Sequence, residues 1–327
     1  MMHPKHLLGL EGMDALVLNQ ILDLANSFEE ILERPVKKVP TLRGRTIVNA
    51  FFEPSTRTRV SFELAQKRLS ADIVNIAASG SSMSKGETLR DTVANLEAMK
   101  IDMLVVRHSV SGVPHMLAQH VTAAVVNAGD GTHEHPTQGL LDLYTMRQRL
   151  GDLAGRRVTI VGDIAHSRVA RSNLWGLRAL GARVTVCGPR TMMPKRVEDL
   201  GVDVEYDLRR AVRDADAINV LRIQFERHGT SNFPSAREYM RLFGITNEVL
   251  KHTRPECFVM HPGPMNRGVE IAADVADGPR AVILQQVTNG VAVRMAVCYL
   301  FAGGVPQSAE ESGRESPPVR PIHVASA

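Results

Sequence analysis

Cysteine is scarce in this chain, and the three present, Cys187, Cys257 and Cys298, stand far apart in apolar surroundings. That argues against a disulfide framework or a zinc site and fits a reducing cytoplasm. Aromatic residues are few, and no basic run carries them interleaved, so the footprint of a nucleic-acid binder is missing. No apolar run could span a bilayer, and Met1-Met2-His3-Pro4-Lys5-His6 lacks the apolar core of a signal peptide. Neither a Walker loop nor a Gly-x-Ser-x-Gly elbow occurs. Gly162-Asp163-Ile164 follows a strand pattern, but the second and third glycines of a dinucleotide turn are absent. No acidic residue follows the next strand either, where Cys187-Gly188-Pro189-Arg190 stands, so no NAD site is expected. No fixed-period repeat is visible.

What is present is an ordinary globular composition over 327 residues, enough for two domains with a core each. The net charge of +4 is spread along the chain, as suits an enzyme handling small anions. The stretch that organises the rest is Phe51-Phe52-Glu53-Pro54-Ser55-Thr56-Arg57-Thr58-Arg59-Val60-Ser61-Phe62-Glu63. A short β-branched strand, Thr46 to Phe51, runs into it, and a helical pattern, Val60 to Leu69, leaves it. Ser55 and Thr56 are suitable N-cap residues. Unpaired N–H groups at a helix start, hydroxyl donors and the cation of Arg57 together suit a phosphate. An ordinary capped helix with solvated arginines is the alternative.

Along the chain, helical spacing predicts a first helix over Met13 to Glu33. Strands are expected at Asp72–Ala77, Asp102–Arg107 and Thr122–Asn127. Helices are expected to Lys100 from a Ser84/Glu87 capping box, at Val113–His120, and from Pro136 to Leu150. Gly151 to Gly155 reads as a turn-rich hinge, after which strand–helix alternation restarts with strands at Arg157–Val161, Arg183–Cys187, Val202–Tyr206, Ala217–Leu221 and Phe258–Met260. Helices are expected at Arg168–Leu180, Pro194–Leu200, Leu208–Asp214, Thr246–His252 and Gln286–Phe301, and a long mobile loop over Gln224 to Gly244. The fold class is therefore α/β, two doubly wound parallel-sheet domains with a C-terminal helix returning to the first. The boundaries are residues 1–135 plus 286–302 for one domain and 136–285 for the other. Residues 303–327, rich in Pro, Ser, Glu and Arg, read as a disordered tail.

In open α/β sheets, ligands bind beyond the carboxyl ends of the strands. Those ends deliver Ser55-Thr56-Arg57-Thr58, Arg107-His108 and His133-Glu134-His135-Pro136-Thr137-Gln138 from the first half. The second half delivers Gly162 to Arg168, Arg222-Ile223-Gln224, and His261-Pro262-Gly263-Pro264-Met265-Asn266-Arg267. Arginines, histidines and neutral donors converge there, which suits binding an anion and polarising a carbonyl. Metals want paired carboxylates or Cys/His sets. A metal pair at His133 and His135 is one reading of that segment. The other has one solvent-facing histidine and His135 as a hydrogen-bonding side chain at the domain junction.

Phe52-Glu53-Pro54-Ser55-Thr56-Arg57-Thr58-Arg59 together with His135-Pro136-Thr137-Gln138 resembles the carbamoyltransferases. Gly162-Asp163-Ile164-x-His166-Ser167-Arg168-Val169-Ala170-Arg171-Ser172-Asn173 and His261-Pro262-Gly263-Pro264-x-Asn266-Arg267-Gly268-x-Glu270 narrow the resemblance to the aspartate carbamoyltransferase catalytic chains. Ornithine-using relatives typically carry Cys where Thr137 stands and His-Cys-Leu-Pro where His261-Pro262-Gly263-Pro264 stands. The resemblance spans the first helix to about Phe301 and leaves the tail without a role.

This resemblance implies transfer of a carbamoyl group from carbamoyl phosphate to the α-amine of L-aspartate, an early step of pyrimidine synthesis, with no cofactor and no metal. It implies that Ser55, Thr56, Arg57 and Thr58 hold the phosphate, and that Thr58, Arg107 and His135 point at the carbamoyl oxygen. Gln138 and the backbone carbonyls of Pro262 and Gly263 are implied to take the carbamoyl NH2. Arg168, Arg222 and Gln224 are implied to hold the aspartate carboxylates. Ser81 and Lys85 are implied to reach in from a neighbouring subunit, which makes the enzyme a homotrimer with shared sites. The sequence leaves open another amino-acid acceptor, an inactive scaffold bound to a partner enzyme, and association with a regulatory chain or a dihydroorotase.

Overall fold

The structure, a computed structural model, describes residues 4–77, 88–224 and 235–303. In chain order its elements are α1 (Ala15–Leu32), β1 (Thr46–Phe51), α2 (Thr56–Arg68), β2 (Asp72–Ala77), α3 (Leu89–Ala98), β3 (Met103–His108), α4 (Val113–Ala118), β4 (Ala124–Asp130) and α5 (Pro136–Leu150). The second half holds β5 (Arg157–Val161), α6 (Arg168–Ala179), β6 (Arg183–Cys187), β7 (Asp203–Glu205), α7 (Leu208–Ala211), β8 (Ala217–Val220), α8 (Ala236–Phe243), α9 (Asn247–Leu250), β9 (Phe258–Met260), α10 (Ala273–Ala276) and α11 (Ile283–Phe301). Two all-parallel sheets result, ordered β2-β1-β3-β4 and β7-β6-β5-β8-β9. The expected α/β class holds.

Parallel strands need helical crossovers, and those cover both faces, so the strands read as apolar runs. β4 is buried along its whole length, and β3 in all but its last residue. One apolar cluster runs through both sheets, joined by α5 and α11. The first eleven residues of α5 are all buried, and α11 packs against α1, α2 and α5, so both helices are apolar on more than one side. Helix α2 is pinned to the sheet by reciprocal amide bonds between Asn49 and Gln66, both 2.8 Å and both residues fully buried.

Four expectations change. Helix α2 begins at Thr56, four residues earlier than the apolar spacing suggested, because its first turn is polar. The segment expected to be a loop through Gly244 contains α8, whose N-cap Ser235 accepts from the Glu238 amide at 3.1 Å. Its Ser-x-x-Glu pattern was the available signal. The N-cap of α3 is Thr88, accepting from the Asp91 amide at 3.2 Å. Ser84 and Glu87, Ser81 and Lys85, and nearly all of the expected tail lie outside the described residues. The helix expected over Pro194–Leu200 is a single 3-10 turn at Val197–Leu200.

Candidate functional site

The order of each sheet reverses once, between β1 and β3 in the first and between β5 and β8 in the second. Such switch points open a crevice at the strands' carboxyl ends. Ser55 to Thr58 follow β1, Arg107 is the penultimate residue of β3, the turn leading to Arg168 follows β5, and Arg222 follows β8. His135 lies after β4, and Pro262 with Gly263 after β9. The two sheets therefore face each other across these ends.

Ser55 occupies the N-cap of α2 in extended conformation, yet its hydroxyl makes no capping bond. The first-turn N–H groups stay available, as an oxyanion site at a helix tip needs. Thr58 is buried one turn in. Arg57 projects across to the other half. A Cβ built on Gly263 would stand 3.3 Å from its Cζ, and Gly263 itself has φ +62°. The Arg57 guanidinium is held below its ordinary pKa by burial and then by the nearby charge of Arg222. Among the described residues no carboxylate pairs with Arg57.

Arg107 and Arg168 also meet, on a carboxylate. Arg168 donates to Glu53 Oε1 at 2.7 Å and Oε2 at 2.9 Å, and Arg107 donates to Oε1 at 3.2 Å. Arg107 further donates to the Ala128 carbonyl at 3.0 Å. Gly129, at φ +115°, lies against both guanidinium groups, its built Cβ 3.0 Å from Arg107 Nη1 and 3.2 Å from Arg168 Cζ. Only a residue without a side chain fits there. Sequence reasoning gave Glu53 no role, although it is the one carboxylate within the β1–α2 turn.

His135 caps α5, and its backbone N–H donates to Ser172 Oγ at 2.9 Å. The ring Nδ1 is buried and has no partner among the described residues, while the backbone makes the junction bond. Burial, followed by the charges of Arg107, Arg168 and Arg294, holds the imidazole well below its usual pKa, so it is neutral at physiological pH. A neutral imidazole carries one N–H and one lone pair. His115, Asp130 and His133 lie close enough to suggest a metal cluster. Asp130, however, already accepts from Asn127 at 2.8 Å, from His133 and the Glu134 amide at 3.2 Å each, and from the Gly112 amide at 2.7 Å. Both Asp130 oxygens are thus already engaged by neighbouring donors.

The β9 loop is built by its own polar residues. Gly263 N–H donates to His261 Nδ1 at 2.8 Å, so Nε2 carries the proton and donates to Glu270 at 3.1 Å. The Asn266 amide also donates to Glu270, at 2.6 Å, and Asn266 Nδ2 donates to the Ile223 carbonyl at 2.8 Å. The last bond ties the loop bearing Pro262 and Gly263 to the segment bearing Arg222 and Gln224. Gln224 Oε1 is buried without a partner among the described residues. Gln138 donates through Nε2 to Asp142 at 2.9 Å, and its oxygen takes no part in that bond. Of the expected site residues, Ser81 and Lys85 alone fall outside the described segments.

Comparison with known proteins matches one family across both halves of the chain. The aspartate/ornithine carbamoyltransferase carbamoyl-P binding domain matches residues 5–148, and the Asp/Orn binding domain of the same family matches residues 154–301. The chain is 61% identical over 306 residues to the aspartate carbamoyltransferase catalytic subunit of Gemmatimonas aurantiaca, covering 94% of this chain and 96% of that one. It is 57% identical over 299 residues to the namesake subunit of Cytophaga hutchinsonii, covering 91% and 97%. Among solved structures, aspartate transcarbamoylase from Trypanosoma cruzi in complex with carbamoyl phosphate superposes with a TM-score of 0.80 at 28% identity, covering 90% of this chain and 95% of that one. Ornithine carbamoyltransferase from Pyrococcus furiosus gives 0.81 at 29% identity, covering 92% and 97%.

Proposed function

The chain belongs to the aspartate/ornithine carbamoyltransferase family, and we propose that the residues gathered at its two switch points carry out carbamoyl transfer. The reaction moves the carbamoyl group of carbamoyl phosphate to the α-amine of L-aspartate and serves pyrimidine synthesis. Aspartate rather than ornithine is the acceptor, in keeping with the relatives named above and with Thr137 and His261-Pro262-Gly263-Pro264.

One observation carries the assignment of roles: Arg57, at the tip of α2 in the first half, reaches the β9 loop of the second, its Cζ 3.3 Å from a Cβ built on Gly263. A dianion at that junction is attracted by the Arg57 guanidinium. Phosphate binds at the tip of α2 through Ser55, Thr56, Arg57 and Thr58, with each charge-assisted contact contributing ~1.5–3 kcal/mol. Arg107, His135 and Thr58 donate to the carbamoyl oxygen, where negative charge builds as the amine attacks. Losing one such donor typically costs ~2.7–4 kcal/mol of transition-state stabilisation. Gln138 Oε1 and the carbonyls of Pro262 and Gly263 accept from the carbamoyl NH2. Arg168, Arg222 and Gln224 hold the aspartate carboxylates. The new N–C bond forms, the C–O bond to phosphate breaks, and the departing phosphate takes the amine proton. Holding both substrates in attack geometry supplies roughly 7–11 kcal/mol more.

The working unit is a homotrimer in the cytoplasm, with Ser81 and Lys85 completing a neighbour's site. Exposed apolar residues Val60 and Leu64 on α2 and Val74 on the edge strand β2 support an intersubunit face there. Residues 1–135 with 286–302 form the carbamoyl-phosphate domain, and 136–285 the aspartate domain. A bisubstrate analogue joining phosphonate to aspartate tests the reading. It should inhibit competitively with carbamoyl phosphate and protect Arg57 from guanidine-directed modification. Absence of binding, or binding that leaves Arg57 reactive, would overturn it.

A further inference from the structure

Asp142 lies outside the proposed set of substrate contacts, yet it is fully buried on α5 and ringed by four neutral amides. Gln138 Nε2 donates to its Oδ1 at 2.9 Å and Gln286 Nε2 to the same oxygen at 2.8 Å. Asn173 Nδ2 donates to Oδ2 at 2.8 Å and Asn219 Nδ2 to Oδ2 at 3.2 Å. These donors come from α5, α11, α6 and β8, so one carboxylate ties both halves of the molecule together. A buried carboxylate is costly, and a well-packed apolar residue holds helices together at least as well. Cohesion alone gives no reason for a charge there.

The geometry supplies one. An ionised carboxylate only accepts, so every amide facing it must turn its NH2 inward. For Gln138 that makes Oε1 the end not held by the carboxylate, an acceptor for the carbamoyl NH2 it is proposed to bind. For Gln286 it sends Oε1 toward the His261 backbone N–H, which donates to it at 2.9 Å. His261 in turn accepts from the Gly263 amide at 2.8 Å and thereby sets the loop whose carbonyls are the other proposed NH2 acceptors. Burial pushes the Asp142 carboxyl up to about 6, with the four amides opposing, so it stays ionised at neutral pH.

We infer that Asp142 is a positioning residue for recognition of the carbamoyl NH2, its carboxylate orienting Gln138 directly and the Pro262–Gly263 carbonyls through Gln286 and His261. The inference rests on the proposed roles of Gln138, Pro262 and Gly263. Asp142→Asn keeps the shape but offers an NH2 of its own, so Gln138 gains by turning its oxygen inward and presenting a donor to the substrate.

The test compares carbamoyl phosphate with acetyl phosphate, which carries a methyl group in place of the NH2. A site built to bond an N–H rejects the analogue without it. The wild-type chain must first form carbamoyl aspartate; no turnover would overturn the functional reading itself. In Asp142→Asn, KM for carbamoyl phosphate should rise roughly five- to tenfold, about one hydrogen bond, while the inhibition constant of acetyl phosphate stays within about twofold. Equal weakening of both ligands, or no change in either, would overturn the role of Asp142 and leave the functional reading intact. Should Asp142→Asn fail to fold, Gln286→Met cuts the tie to His261 and leaves the carboxylate in place. The same selective loss is expected, and parallel loss again overturns the inference.

Discussion

Glu53 and Arg168 form a two-pronged ion pair at 2.7 and 2.9 Å, Glu53 from the turn after β1 and Arg168 from the start of α6. Both side chains are largely withdrawn from water, at 16% and 5% exposure, which makes the pair a cross-domain latch rather than a surface contact. Because Arg168 is also a proposed ligand for aspartate, the latch joins substrate binding to the spacing between the two halves.

Glu53→Gln removes the charge opposite two buried guanidinium groups and keeps one acceptor oxygen. Breaking a buried pair from one side costs about 3–5 kcal/mol, and the retained acceptor places this change at the lower end. The expected outcome is a lower melting temperature together with a fall of about 10²-fold in kcat/KM for aspartate. Calorimetry and initial-rate kinetics check it. Unchanged aspartate kinetics would mean that the latch is structural only.

Gly129→Ala forces a side chain into a left-handed backbone position and against both Arg107 and Arg168. Backbone strain of ~1–3 kcal/mol is expected, and displacement of the two arginines adds an activity loss greater than the stability loss. Urea denaturation and steady-state rates measured on one preparation separate the two effects.

His135→Ala should lower kcat by about 10²–10³ at nearly unchanged KM, the cost of one oxyanion donor. The imidazole is neutral in the folded chain, so kcat should show no inflection from it between pH 6 and 8. The sign for stability follows. In the unfolded chain the ring takes up a proton near 6.5, while in the folded chain burial and the arginines oppose it. The neutral ring's contribution is complete above that value and is lost as pH falls below it. Wild-type protein should therefore lose more melting temperature than His135→Ala between pH 7.5 and 5.5.

Inorganic phosphate at a hundred times its Kd should add ~2.7 kcal/mol of stability to the wild-type chain through mass action. Arg57→Ala should lose most of that gain, which thermal shift titration reads directly. Mixing inactive Arg57→Ala chains with inactive Lys85→Gln chains should restore part of the activity if neighbouring subunits share sites. Hybrids with no recovered turnover would count against the trimer.

The alternation of apolar strands and amphipathic helices was legible in the chain, because each pattern depends on neighbours in sequence. β1, β2, α5, β5, β6 and β9 have the bounds their residues predict. The anion-binding character was legible too, since strand ends can be counted off and their residues read. Helix α8 escaped because only Tyr239 among its eight residues is buried, which leaves little apolar stripe to detect.

The sequence by itself determined the α/β class, the hydroxyls and arginines at the strand ends, and the family resemblance, all of which follow from local pattern. Tertiary structure alone decided that Glu53 binds Arg168 across 115 residues and that Asp142 gathers an amide from Gln286, 144 residues away. It also decided that Arg57 reaches across to Gly263, 206 residues further along the chain. Partners so distant in the chain are chosen by how two sheets pack through α5 and α11, and no spacing rule along one strand or helix encodes that choice.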